Sequence, residues 1–163
     1  FKKINNIKGI NFSKRFSTMV ERYNDRNEVD ILKGEIFDDF ANEILNMIQE
    51  IKDEHKSHDK MGITIEEKAI FDILQSLTIR YEFNYPYEKL ITLSKKIKEI
   101  IDDKVHYVDW YAKDNIKAEL QFELVVLLDK YGYPPVTHDE AYNNILKQAK
   151  NFKRLGNPIN IEN

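Results

Sequence analysis

Apolar residues recur every three or four positions along most of this chain, and the recurrence stops at a few glycines, prolines and polar clusters. Phe12, Phe16, Met19, Val20 and Tyr23 share one face and predict a helix over 13–23. Val29, Leu32, Ile36, Phe40, Ile44, Met47, Ile48 and Ile51 predict a long helix over 28–56, with Gly34 inside it and Gly62 closing the segment. Thr64-Ile65-Glu66-Glu67 reads as a capping box, because a Thr hydroxyl and a Glu three residues on can each accept from the other's backbone N–H. The helix it opens runs to about residue 79 and turns Ile70, Phe71, Leu74 and Leu77 inward. Pro86 sits near the first turn of the next, where its missing N–H does no harm, and Leu90, Leu93, Ile97, Ile100 and Ile101 carry its apolar face to about residue 104.

Beyond that helix, Val105, Tyr107, Val108, Trp110 and Tyr111 form a dense apolar connection. A fifth helix starts near Asp114 and buries Ile116, Leu120, Leu124, Leu127, Leu128 and Tyr131. Gly132 is placed to end it in the left-handed conformation, and Pro134-Pro135 forbids continuation. Thr137-His138-Asp139-Glu140 reads as a second capping box, opening a last helix to about residue 154 with Ala141, Ile145, Leu146, Ala149 and Phe152 inward. No strand pattern and no internal repeat is visible. The fold class expected is all-α, an irregular bundle of about six helices in a single domain. Residues 13–154 are expected to form the domain, with 1–12 a loose basic arm or linker and 155–163 a flexible tail.

A length of 163 residues fits one domain with a core large enough to stand without staples. The absence of cysteine excludes a disulfide scaffold, a thiol nucleophile and thiolate metal sites. Neither a signal peptide nor a bilayer-spanning run is present, so no membrane role and a cytoplasmic location are expected. The chain opens on Phe1 rather than methionine, which reads as a piece of something longer.

Charge changes the picture more. Residues 1–26 hold seven basic and two acidic groups, whereas the remaining 137 hold 18 basic and 26 acidic ones. A basic arm on an acidic body suits a phosphate backbone, through Lys14, Arg15, Arg22 and Arg26, or an acidic protein; a merely solvated helix face has the same composition.

The search for chemistry is negative. His55 and His58, with Asp53, Glu54 and Asp59 beside them, have helical metal-ligand spacing but lack ligands from a second element, so no metal is expected. His106 and His138 are isolated, and His138 suits the first turn of a helix. There is no nucleophile elbow and no phosphate-cradling loop, and the carboxylates fall on solvent faces. No catalytic residue is named, and no cofactor is expected within these residues. Trp110 with Tyr107 and Tyr111 could stack on bases, although such a segment between helices more often fills a core.

A set of motifs nevertheless stands out. They are Arg22-Tyr23-Asn24-Asp25-Arg26, Glu66-Glu67, Ala69-Ile70-Phe71-Asp72, Val108-Asp109-Trp110, Ile116-Lys117-Ala118-Glu119-Leu120, Lys130-Tyr131-Gly132-Tyr133-Pro134-Pro135, Glu140-Ala141 and Gln148-Ala149. In this order they resemble the C-terminal helical region of type I restriction enzyme R (motor) subunits, over roughly residues 14–150. The resemblance implies a parent chain that cuts DNA with a nuclease domain and translocates it with ATP-driven, magnesium-dependent domains, none of whose motifs occur here. It implies a non-enzymatic assembly role for this region, docking the motor onto the methyltransferase–specificity core, with the methyltransferase subunit as partner. Trp110, Tyr131, Tyr133 and Pro134 are the candidate docking residues, or else markers of the fold. Duplex DNA is the alternative partner. Residues 113–131 depart from the family's basic character, with three basic groups against four acidic ones, so the N-terminal arm is the better DNA candidate.

Overall fold

The computed structural model describes residues 4–25, 35–105 and 109–156, and the side chains of 35–37 and 153–156 also lie outside the description. Among the described residues six α-helices follow one another: α1 (Asn6–Asn24), α2 (Glu35–Met61), α3 (Ile65–Arg80), α4 (Tyr87–Lys104), α5 (Asp114–Lys130) and α6 (His138–Gly156). Short 3₁₀ turns at Trp110–Ala112 and Pro135–Thr137 lead into α5 and α6, and no strand occurs among the described residues. The chain is an all-α single domain.

One apolar core lies among α3, α4, α5 and α6. Ile70, Ile73, Leu74 and Leu77 of α3 meet Leu93, Ile97 and Ile101 of α4, Leu120, Leu124 and Leu128 of α5, and Ile145 and Ala149 of α6. These are the positions that the three- and four-residue spacing selects. Burying a leucine or isoleucine side chain is worth about 1.5–3 kcal/mol, so this layer dominates the stability.

Helices α1 and α2 stand outside that core. They pack antiparallel on each other, as the pairs Arg15–Glu50 and Arg22–Glu43 show. Met19 and Met47 are their buried apolar side chains among those described, and Tyr23 stacks on Phe40 at 4.5 Å. Of the described apolar side chains of this pair, only Ile7 and Met61, both half-buried, reach the main core. Ile48, expected on the inward stripe, is 44% exposed, because two helices paired alone cover less of each other than a bundle does.

The boundaries hold two further differences. Helix α1 begins at Asn6 rather than 13, because Asn5 caps it: its side-chain oxygen accepts from the Lys8 N–H at 3.2 Å, and the residue is itself buried. Helix α2 runs on through the polar stretch to Met61, where Gly62 at φ +70° ends it. The expected positions Val29, Leu32 and Gly34 lie outside the described residues, as do 157–163 of the expected tail.

The two expected capping boxes differ. At Thr64 both bonds form, Glu67 N–H to the Thr hydroxyl at 3.1 Å and Thr64 N–H to the Glu67 carboxylate at 2.8 Å. At Thr137 neither does. The hydroxyl donates back to the Pro134 carbonyl at 2.7 Å, and Glu140 is taken by Arg80 and by the Tyr81 hydroxyl. Two prolines before Thr137 favour a 3₁₀ turn that runs directly into α6.

Candidate functional site

The basic arm is the outer face of α1. Arg15 donates through both terminal nitrogens to the Glu50 carboxylate, and its guanidinium lies 5.8 Å from the Phe12 ring centroid. That hydrogen bond raises Arg15 above its ordinary value and holds Glu50 below the usual carboxylate range. Arg22 is paired with Glu43, about two helical turns nearer the start of α2 than Glu50. Lys14 is exposed on the same side, beside a crevice lined by Lys14, Arg15, Thr18, Arg22, Glu43 and Glu50. The structure therefore brings Lys14, Arg15 and Arg22 together but sets two acidic partners among them. Arg26 lies outside the described residues.

The aromatic motif residues lie elsewhere. Trp110 is 1% exposed, edge-on to Tyr111 at 5.5 Å, and fills the core where α4 passes to α5. Tyr111, half-buried, carries the ammonium of Lys150 4.2 Å from its ring centroid, a cation–π contact joining this turn to α6. Tyr133 is also 1% exposed: Phe83 and Tyr85 meet its ring edge-on at 5.4 and 5.3 Å, and its hydroxyl donates to the Leu74 carbonyl at 2.7 Å. Burial, with Tyr85 and Glu140 nearby, pushes its hydroxyl well above the ordinary phenol range.

Tyr85 donates in turn to the Tyr131 carbonyl at 2.6 Å. The buried His138 donates from Nε2 to the Tyr133 carbonyl at 2.8 Å. Gly132, at φ +69°, makes the reversal that these bonds fasten. Trp110 and Tyr133 are thus withdrawn from the surface by their burial, while Tyr131 and Pro134 remain half-exposed. Neither buried ring is available to stack on a base or enter a partner's pocket. The Lys130–Pro135 motif is a staple between α3 and the α5–α6 turn.

A second constellation, which the sequence did not single out as a site, joins α1 and α2 to the core. Lys68 of α3 reaches both Asp72 oxygens at 2.7 Å and Glu54 of α2 at 2.8 Å, with its side chain 8% exposed. Asn5 donates to Asp72 at 2.6 Å. Gln148 of α6 completes the clamp, accepting from the Asn6 N–H at 2.9 Å and donating to the Ile4 carbonyl at 3.1 Å. Burial pushes Glu54 up, but the hydrogen bond and charge of Lys68, with help from Lys8 and Ser57, outweigh it and hold the carboxyl below its usual range. The signal was present: Asp72 and Gln148 both fall within the motifs set out above. Their partners, 67 and 142 residues away in sequence, could not be read from spacing.

The histidine cluster is structural where it is described. His58 Nδ1 donates to the Ile63 carbonyl at 3.1 Å and closes the end of α2. Among the described residues no group of three or more His, Asp or Glu side chains is arranged to hold a metal ion, and His106 lies outside them. No described helix is long and apolar enough to cross a membrane.

Comparison with known proteins gives a consistent picture. The family model described as type I restriction enzyme HindI endonuclease subunit-like, C-terminal, matches residues 1–154. The type I restriction enzyme HindI endonuclease subunit of Haemophilus influenzae is 28% identical over 139 residues, covering 85% of this chain and 12% of that protein. A putative type I restriction enzyme MjaIXP endonuclease subunit of Methanocaldococcus jannaschii is 25% identical over 152 residues, covering 91% of this chain and 13% of that protein. The chain therefore spans about an eighth of the length of these relatives. No solved structure matches.

Proposed function

Since this chain belongs to the family of C-terminal domains like that of the HindI type I restriction endonuclease subunit, we propose that it is a helical assembly domain. It holds an ATP-driven DNA translocase and endonuclease subunit onto the methyltransferase–specificity core of its restriction complex, with the methyltransferase subunit as partner. The cutting, the ATP and the magnesium belong to other domains of such a subunit. The observation that carries this reading is the match over residues 1–154, in a chain an eighth the length of its relatives. The motif residues support it in a second way. Asp72, Tyr133 and Gln148 fix the relative placement of helices rather than line a reactive cleft.

The alternative, a duplex-DNA module working through Lys14, Arg15, Arg22 and Arg26, meets an obstacle in Glu43 and Glu50, which already occupy Arg22 and Arg15. A titration of the domain against the methyltransferase–specificity core and against duplex DNA, each across a salt series, separates the two. Salt-tolerant binding to the core is expected. Binding to DNA alone, falling steeply with salt, would replace the assembly reading with the alternative.

A further inference from the structure

Helix α5 is apolar on two opposite sides. Its inner face sends Ile116, Leu120, Leu124 and Leu128 into the core. On the opposite side Phe122 is 71% exposed and Val126, one turn on, is 50% exposed, with the exposed Ala118 and half-buried Val125 beside them. The run Leu124-Val125-Val126-Leu127-Leu128 has more apolar side chains than one core face can take. A helix apolar all round is ordinarily covered all round, and among the described residues α5 has neighbours only on its inner half.

The rim of this outer stripe is mainly acidic, with one exposed lysine, Lys130, a turn beyond Val126. Asp114, Glu119 and Asp129 are exposed around it, and Glu123 lies beside Glu119. Lys104 reaches across from α4 to Glu119 at 3.4 Å and Glu123 at 2.9 Å, but its own side chain is only 20% exposed. Lys117, 3.5 Å from Asp114, lies over the Tyr111 ring of the preceding 3₁₀ turn, 5.2 Å from its centroid. An incoming surface therefore meets an apolar centre with more exposed carboxylates than ammonium groups around it, since Lys104 and Lys117 are less exposed than their acidic partners and Lys130 is the one exposed lysine of the helix.

We propose that the outer face of α5 is the docking surface of this domain, and that it receives a protein surface with an apolar ridge flanked by lysine or arginine. The proposal rests on the assembly reading above and places the partner's ridge within the methyltransferase–specificity core. Charge complementarity selects this occupant. DNA would bring phosphates against carboxylates. A second copy docked through the same face about a two-fold axis would oppose acid to acid.

The test uses the endonuclease subunit that carries this domain, with its methyltransferase–specificity core. Phe122→Ser with Val126→Ser should weaken binding to the core roughly tenfold or more, with circular dichroism and melting unchanged because both side chains start exposed. Phe122→Gln alone, a milder change at an exposed helical position, should weaken it in the same direction. Glu119→Lys with Asp129→Lys should slow association several-fold and flatten its dependence on salt. Core binding by the unmodified subunit that these variants leave intact would overturn the α5 proposal and spare the assembly reading. No core binding by the unmodified subunit would overturn both. Self-association of the domain that Phe122→Ser abolishes would give the face to a second copy, and so overturn the proposed partner.

Discussion

Tyr133 combines a buried ring, a hydrogen bond to the Leu74 carbonyl and a hydroxyl whose ionisation burial has pushed upward. In the unfolded chain that phenol titrates near 10. Between that value and the higher folded one the unfolded state binds fewer protons, so stability falls as pH rises. The stabilisation is complete below about pH 10 and drains away above it. Tyr133→Phe should cost about 1 kcal/mol at neutral pH, through the lost hydrogen bond, and should lessen the alkaline decline. Urea unfolding of both proteins at pH 7, 10 and 11 checks this, and parallel curves across that range would show that another group is responsible. The neighbouring Gly132 was legible in the sequence, because a glycine followed by two prolines after an apolar helix demands a left-handed stop. The inward turn of Tyr133 was not, since a tyrosine beside such a stop reads the same whether it packs or points to solvent.

At the scale of elements, local chemistry was legible and long-range competition was not. Thr64 and Glu67 form their box because, among the described residues, nothing else claims either side chain. Glu140 has the same spacing from Thr137, but Arg80 and Tyr81 bring a stronger claim from α3, invisible at a distance of 60 residues in sequence. The same holds for Asn5, whose capping role moved the start of α1 forward because Asp72 holds it in place. The α1–α2 pair is therefore attached to the core largely by polar groups, and such an attachment responds to pH. Glu54 is held ionised below the ordinary carboxylate range, near 4.3, by Lys68. Its contribution is present above about pH 4.3 and is lost as pH falls through the lower folded value. Thermal melts from pH 6 to pH 3 should show a steeper acid decline for the unmodified domain than for Glu54→Gln, which gives up that contribution at every pH. Equal slopes would remove Glu54 from the attachment.

For the whole molecule, the sequence's division into basic arm and acidic body dissolves partly on folding, because α2 lays Glu43 and Glu50 along α1. Summed charge over residues 1–26 could not reveal this, since the acids lie in a segment 21 to 35 residues further on. The exposed face of α1 should consequently bind duplex DNA only weakly, and removing the two carboxylates should liberate it. Each phosphate contact adds about 0.9 to the slope of log affinity against log salt on duplex DNA. Glu43→Gln with Glu50→Gln frees Arg22 and Arg15, so the affinity should rise and the slope should steepen by up to about 2. Fluorescence anisotropy with a labelled duplex between 50 and 200 mM salt, about the range where such contacts tell, measures both quantities. A slope that stays the same while both arginines are free would mean that α1 does not present them to a phosphate backbone. The acids of α2 would then serve to hold the helix pair together, and the domain's outward contacts would fall to the apolar face of α5.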